Sequence, residues 1–219
     1  MSAPAGRRPE EDLCHAIESY YTQRLAKYGA TPLGVDWSCL ATQCLRFVKL
    51  LLICDFSAPF SINDLGCGYG ALFGFIRERH PGARFDYTGI DLSAAMIARA
   101  RRRHRGSPGQ RFRIGRKSPQ IADYTLASGI MNVKLGHSRA VWETHVAEVL
   151  REMRATSRRG FAVNFMSETG AVTEEGLYRT TADTWRRFCE SKLGCRAEAV
   201  EGYGMREFTL LAYCGPGDA

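Results

Sequence analysis

No uninterrupted apolar run in this chain approaches twenty residues, which speaks against a membrane-spanning helix of ordinary length. The longest candidate, residues 47–56, is broken by Lys49 and Asp55. The N-terminus carries Arg7, Arg8, Glu10 and Glu11 and lacks the apolar centre of a signal peptide, so a cytoplasmic protein with no membrane contact is expected. Eight cysteines, at positions 14, 39, 44, 54, 67, 189, 195 and 214, include no Cys-x-x-Cys pair, and no histidine cluster accompanies them. That pattern fits neither a disulfide framework nor a zinc site, and it predicts reduced structural thiols and no metal. Internal repeats and low-complexity stretches are also missing.

The net charge of +7 raises nucleic acid as a partner. Much of the excess is local, in Arg99, Arg101, Arg102, Arg103 and Arg105, then Arg111, Arg113, Arg116 and Lys117. No aromatic residue is interleaved in the first group to stack on bases. A run of arginines ending a helix complements the helix dipole and solvates an outer face, which points away from a nucleic-acid site.

The chain has 219 residues, 45% hydrophobic and 24% charged, ordinary proportions for a soluble globular protein. One domain burying about three quarters of its unfolded surface is expected. Residues 1–10 read as a loose tail. A helix over 12–28 turns Leu13, Ile17, Tyr20, Tyr21 and Leu25 to one face. A second, over 37–53, turns Leu40, Cys44, Phe47, Val48 and Leu51 inward. From there strands and helices alternate: strands at 61–63, 87–90, 112–114, 124–128 and 161–165, and helices at 72–79, from a Ser93 cap, and at 140–154. A helix over 182–192 precedes strands at 196–200 and 207–213, joined through a short Gly202-Tyr203-Gly204 turn that permits only antiparallel pairing.

Two segments carry chemistry. Asp64-Leu65-Gly66-Cys67-Gly68-Tyr69-Gly70 follows the first strand, and Gly89-Ile90-Asp91-Leu92-Ser93 closes the second. Glycines let the backbone turn tightly and bring a ligand against main-chain amides at a helix start. Asp91 is placed to accept both hydroxyls of a ribose. Gly66-x-Gly68-x-x-Ala71 also satisfies the loose dinucleotide fingerprint, so NAD is the competing cofactor. Three details favour S-adenosylmethionine. Asp64, two residues before the first glycine, can hold the amino end of a methionine moiety. Gly70 completes a five-residue Gly-x-Gly-x-Gly. About sixty residues precede the first strand, whereas a dinucleotide domain more often begins close to it.

On these two motifs the chain resembles class I S-adenosylmethionine-dependent methyltransferases. The resemblance implies an α/β, Rossmann-like, seven-stranded and mostly parallel sheet, closed by a C-terminal antiparallel hairpin and covered by N-terminal capping helices. It implies a division into residues 1–56, the tail and capping helices, and 57–219, the cofactor-binding domain. The implied cofactor is S-adenosylmethionine and its expected contacts are Asp64, Gly66, Cys67, Gly68, Gly70, Asp91 and Leu92, with Ser128 and Gly129 after the fourth strand and Arg46 from the N-terminal helices. The acidic residue that the family often places after strand three is missing. Arg116, Lys117 and Ser118 stand there instead, which leaves the adenine contact open.

Acceptor chemistry is harder to read. Asn132 can orient a group by hydrogen bonds without acting as a strong base, and the equally open alternative is a loop-structuring role. Tyr20 and Tyr21 with Trp37, Gln43 and Arg46 are candidates for a lid: Tyr21 could face a sulfonium, and Arg46 could pair with a carboxylate. Tyr178 lies in a substrate-facing stretch, 168–178, and His137 is a candidate base with a lone histidine's weak claim. Asn132, Tyr21 and Tyr178 are the catalytic candidates. An Asn-Pro-Pro-Tyr segment, used on exocyclic amines of bases, does not occur. Methyl transfer to a small molecule is the first reading. The second is cyclisation of S-adenosylmethionine itself, as in azetidine-2-carboxylate synthases, with release of methylthioadenosine. A nucleic-acid methyltransferase comes third. The sequence does not give the oligomeric state.

Overall fold

The computed structural model describes residues 9–168 and 175–215. Of the expected tail over 1–10, residues 1–8 lie outside it, while positions 9 and 10 begin a helix; the middle of the stretch 168–178, residues 169–174, also lies outside it. Helix α1 (Pro9–Tyr28) is followed by a 3-10 turn, Pro32–Val35, and by α2 (Leu40–Leu50), which runs into a second 3-10 turn, Leu51–Ile53. The alternating unit comprises β1 (Phe60–Leu65), α3 (Ala71–Arg79), β2 (Phe85–Asp91), α4 (Ala94–Arg103), β3 (Gln110–Ile114), β4 (Ala122–Ala127), α5 (Arg139–Ala155) and β5 (Ser157–Ser167). The chain then forms β6 (Arg179–Thr180), α6 (Ala182–Leu193), β7 (Arg196–Val200) and β8 (Glu207–Tyr213).

The strands lie in the order β3-β2-β1-β4-β5-β8-β7, with the two-residue β6 beside the end of β5. The first five pair in parallel, while β8 is antiparallel to both β5 and β7. Seven strands on the main path and the terminal hairpin match the expected architecture. β6 is an addition too short to be seen in the sequence. Because β1 is flanked by β2 on one side and β4 on the other, the connections diverge there and open a crevice beyond its carboxyl end.

Side chains alternate across the sheet, so each strand feeds two cores. In β5, Phe161, Val163 and Phe165 join Trp142, Val146 and Leu150 of α5 and Trp185 of α6 on one face. Ala162 faces the other core, made with Phe47 and Leu50 of α2, Phe73 of α3 and Ile97 of α4. A strand buried on both faces reads as a continuous apolar run, as β5 does. Side-chain caps begin α4 and α5: Ser93 accepts from Met96 N at 3.2 Å and Ser138 from Val141 N at 3.3 Å. Among the described residues no helix is long and apolar enough to cross a membrane.

One expected face is turned in part. Phe47 and Leu51 are buried as expected, but Leu40 is 63% exposed, and the buried positions of α2 are Gln43, Arg46, Phe47 and Leu50. Those positions follow i, i+3, i+4, i+7 like any core face, but two are polar because the helix covers a cavity and meets a carboxylate.

Candidate functional site

The cavity lies beyond the carboxyl ends of β1, β2, β3 and β4. The loop after β1 forms its floor. Gly66, Gly68 and Gly70 have φ of 71°, 53° and 77°, the left-handed region that glycine adopts without strain. Space forbids a side chain as well: a Cβ at Gly66 would stand 2.1 Å from Ile130 Cγ2. Gly66 N and Cys67 N both donate to Ile90 O, at 2.8 and 3.0 Å, tying this loop to the end of β2.

Asp91 closes β2 and organises the same loop. One of its carboxylate oxygens accepts from Gly68 N at 2.8 Å and the other from Ser93 N at 2.9 Å. Burial raises its pKa to about 6, and these two backbone donors oppose the rise. Asp64 is more deeply sealed, at 2% exposure. Its Oδ2 accepts the phenolic hydrogen of Tyr87, while its Oδ1 has no partner among the described residues and is left to the cavity. Burial raises its pKa to about 7, and the Tyr87 hydrogen bond only partly opposes this. A carboxyl group held in this way ionises best when a cation enters beside it.

The far end is built by the loop after β3 and by α5. Arg116 and Lys117 line the cavity together with His145, Glu148 and Glu152. Ser118 does not line it. Its backbone N–H donates to Glu152 Oε1 at 3.0 Å and so pins this loop to α5. Positions 145, 148, 149 and 152 form an i, i+3, i+4, i+7 stripe beside the apolar face of α5. That regularity is the sequence signal that could have found them.

The roof comes from α1 and the link after it. Ile17, Glu18 and Tyr21 of α1 line the cavity with Trp37. Thr22 Oγ1 lies 2.7 Å from Ser93 Oγ, and Arg24 pairs with Asp36 at 2.6 Å, which fastens the roof to α4 and to the 3-10 turn. Burial and the neighbouring Asp36 push the Tyr21 phenol far above its ordinary pKa, so it remains a neutral group. Trp37 lies flat against Gly129: a Cβ at that glycine would be 2.1 Å from the indole.

Of the expected site residues, Tyr21, Asp64, Gly66, Cys67, Gly68, Asp91, Leu92, Ser128 and Gly129 line the cavity. Burial keeps the Cys67 thiol well above its usual pKa, so it contributes surface rather than a nucleophile. Gly70 caps α3 just behind the lining. Three expectations are corrected. Arg46 is only 6% exposed, outside the lining, and bonds through Nε (2.6 Å) and Nη2 to Glu207 of β8; its guanidinium also stacks 3.7 Å from the Trp37 ring. Its carboxylate is therefore supplied by the chain itself. Asn132 turns away from the cavity: its Oδ1 accepts from Met166 N at 3.1 Å and its carbonyl from Tyr178 N at 2.7 Å. Tyr178 is buried between α5 and α6, donating to Glu143 at 3.0 Å and accepting from Trp185 at 3.2 Å. Both are structural fastenings. Gln43, a lid candidate, lines the cavity, and so does Tyr69, which was not among the expected contacts; the two are bonded to each other at 3.1 Å.

The site suits a ligand with a nucleoside body and a cationic tail. Glycines admit the body against the backbone, and Asp64 offers an uncompensated carboxyl oxygen. Over residues 62–160 the chain matches the methyltransferase domain family. A Mycobacterium tuberculosis protein named as a methyltransferase, Rv1506c, is 37% identical over 155 residues, covering 70% of this chain and 92% of its own. The trans-aconitate 2-methyltransferase of Acidovorax sp. strain JS42 is 36% identical over 92 residues, 42% of this chain and 35% of that enzyme. Human N-acetylserotonin methyltransferase, solved in complex with S-adenosylmethionine, superposes with a TM-score of 0.62 at 20% identity, over 95% of this chain and 61% of that one, a likeness of fold.

Proposed function

Because the chain belongs to the class I S-adenosylmethionine-dependent methyltransferase superfamily, we propose that it binds this cofactor in the cavity and methylates a small molecule by in-line displacement. The observation that carries the reading is the cavity-facing carboxyl oxygen of Asp64, which has no partner among the described residues, beside a glycine loop tied to Asp91. It fits a cationic amino-acid tail attached to a nucleoside.

When bound, the cofactor supplies an electrophilic methyl group, so the protein need not generate a strong nucleophile. The residues of this chain bind, aim and exclude water. Asp64 would hold the ammonium and Asp91 the ribose hydroxyls, with Gly66 and Gly68 giving room. Tyr21, kept protonated, presents a ring and a neutral hydroxyl under the roof. Trp37 closes the side next to Gly129.

A small acceptor is supported by this enclosure, since α1 and Trp37 leave a cavity rather than an open groove for a duplex. Two relatives, named for trans-aconitate and for N-acetylserotonin, act on small molecules. The arginines of α4 are solvent-exposed on the outside of the fold, where Arg101 also donates to Phe112 O at 2.6 Å. With Asn132 turned toward Met166, cyclisation of the cofactor loses one of the features that suited it.

The test is incubation with S-adenosylmethionine and a panel of small acids, phenols and amines, read by mass spectrometry. S-Adenosylhomocysteine appearing only with an acceptor supports the proposal. Methylthioadenosine formed without one would replace it with cyclisation.

A further inference from the structure

The cavity has a direction. Ribose binding at Asp91 places the base toward β3, the outermost strand on that side. The amino-acid tail must then run the other way, past Asp64 on β1. Both fixed cations that line the cavity, Arg116 and Lys117, belong to the β3 end. The tail of S-adenosylmethionine carries a carboxylate as well as an ammonium, and among the described residues no lining cation stands at its end of the cavity.

Gln43 does stand there. It lies on α2, which packs against β5, β8 and α3, on the side away from β3. It lines the cavity and is 2% exposed, an unusual burial for an amide. Its Oε1 accepts the phenolic hydrogen of Tyr69 at 3.1 Å. An amide has one acceptor end and one donor end, and with Oε1 turned to Tyr69 the donor end is left for another partner. Nε2 and its two hydrogens have no partner among the described residues. The donor is not sealed in the core: Gln43 lines the cavity, so an acceptor that enters it can take these hydrogens. Tyr69 is itself part of the loop between Gly68 and Gly70, so the donor is registered to the same loop that receives the ligand.

We propose that Gln43 holds the carboxylate of the cofactor's amino-acid tail and that Tyr69 is the positioning residue that aims its amide. This rests on S-adenosylmethionine being the ligand. An acceptor molecule could offer the same carboxylate chemistry, and binding measured without any acceptor separates the two sources.

Isothermal titration calorimetry of the full chain with S-adenosylmethionine and with decarboxylated S-adenosylmethionine isolates that one group, because the second ligand keeps the ammonium and nucleoside. The wild-type protein is expected to prefer the first by roughly tenfold or more, the range of a hydrogen bond to a charged group. Gln43→Leu should abolish the preference by weakening S-adenosylmethionine alone, and Tyr69→Phe should reduce it. Unchanged binding of the decarboxylated ligand shows that the variants remain folded. Equal wild-type binding of both ligands, or a Gln43→Leu effect that is equal on both or nil, overturns the assignment. Failure of the wild-type protein to bind either ligand overturns the cofactor reading itself.

Discussion

Tyr87 donates its phenolic hydrogen to Asp64, and this neutral hydroxyl is the only described partner of a carboxyl group that is 2% exposed. Burial holds the Asp64 pKa at about 7, above its unfolded value near 4. The native protein without ligand therefore keeps the proton longer than the unfolded chain does. Its stability from this group is complete below about pH 4 and is lost as pH rises through about 7. A cationic ligand reverses the preference. Affinity for S-adenosylmethionine should rise between about pH 5.5 and 8, with release of a proton on binding below about pH 7. Calorimetry in buffers of different ionisation enthalpy reads that proton directly.

Asp64→Asn removes the charge and leaves an oxygen for Tyr87. At pH 8 the ligand-free variant should melt higher than wild type, by about 3 °C or more if one kcal/mol or more is relieved. Its affinity for S-adenosylmethionine should fall about a hundredfold and become flat with pH. A variant that melts lower at pH 8 would mean that Asp64 is paired more strongly than its contacts indicate.

Gly129→Ala is expected to be costly although the change is one methyl group. Its backbone has φ of 80°, and the new Cβ would fall 2.1 Å from Trp37. Strain and overpacking together suggest a loss of about 2 kcal/mol or more, measured by urea unfolding. Displacement of Trp37 should also weaken cofactor binding, a result that separates this glycine from one that matters only for the loop.

Arg46 and Glu207 are both nearly sealed from solvent. Removing either partner leaves an uncompensated charge, so Arg46→Met or Glu207→Gln should cost roughly 3–5 kcal/mol. The double variant should cost less than the sum of the two. A double-mutant cycle on chemical denaturation midpoints measures the coupling, and strict additivity would show that the pair contributes nothing as a pair.

Tyr178→Phe should lower stability by about 1–2 kcal/mol, since Trp185 Nε1 loses its acceptor and Glu143 its donor. Cofactor affinity should stay within twofold of wild type. A large loss of affinity at unchanged stability would return Tyr178 to the site.

The sheet and the cofactor loop were legible in the sequence because local rules and tertiary needs agree there. Glycines sit where φ is positive, Asp91 ends a strand, and apolar runs mark strands covered on both faces. The lid was half legible. Gln43 and Arg46 occupy inward positions of α2 but are polar, so hydrophobic periodicity turned the helix toward Leu40. Asn132 and Tyr178 were misread for the opposite reason: their chemistry suggested catalysis, while their partners, Met166 and Glu143, are visible only once β5 and α5 are in place. The stripe on α5 from 145 to 152 could have been read, but its neighbour in space, the loop after β3, is more than thirty residues away in sequence.

Strand β8 has a consequence for how the protein is made. It is inserted between β5 and β7, so the last of the described strands enters the sheet beside an edge strand that precedes it in sequence. It also carries Glu207, the counter-charge for Arg46 on α2. During synthesis the helix that covers the cavity emerges early, and the acid that neutralises it emerges some 160 residues later. Until then Arg46 has no buried partner and β5 offers a bare edge. A ribosome-bound chain stopped after β7 should be sensitive to protease at α2 and gain no protection from S-adenosylmethionine, whereas one that includes β8 should be protected.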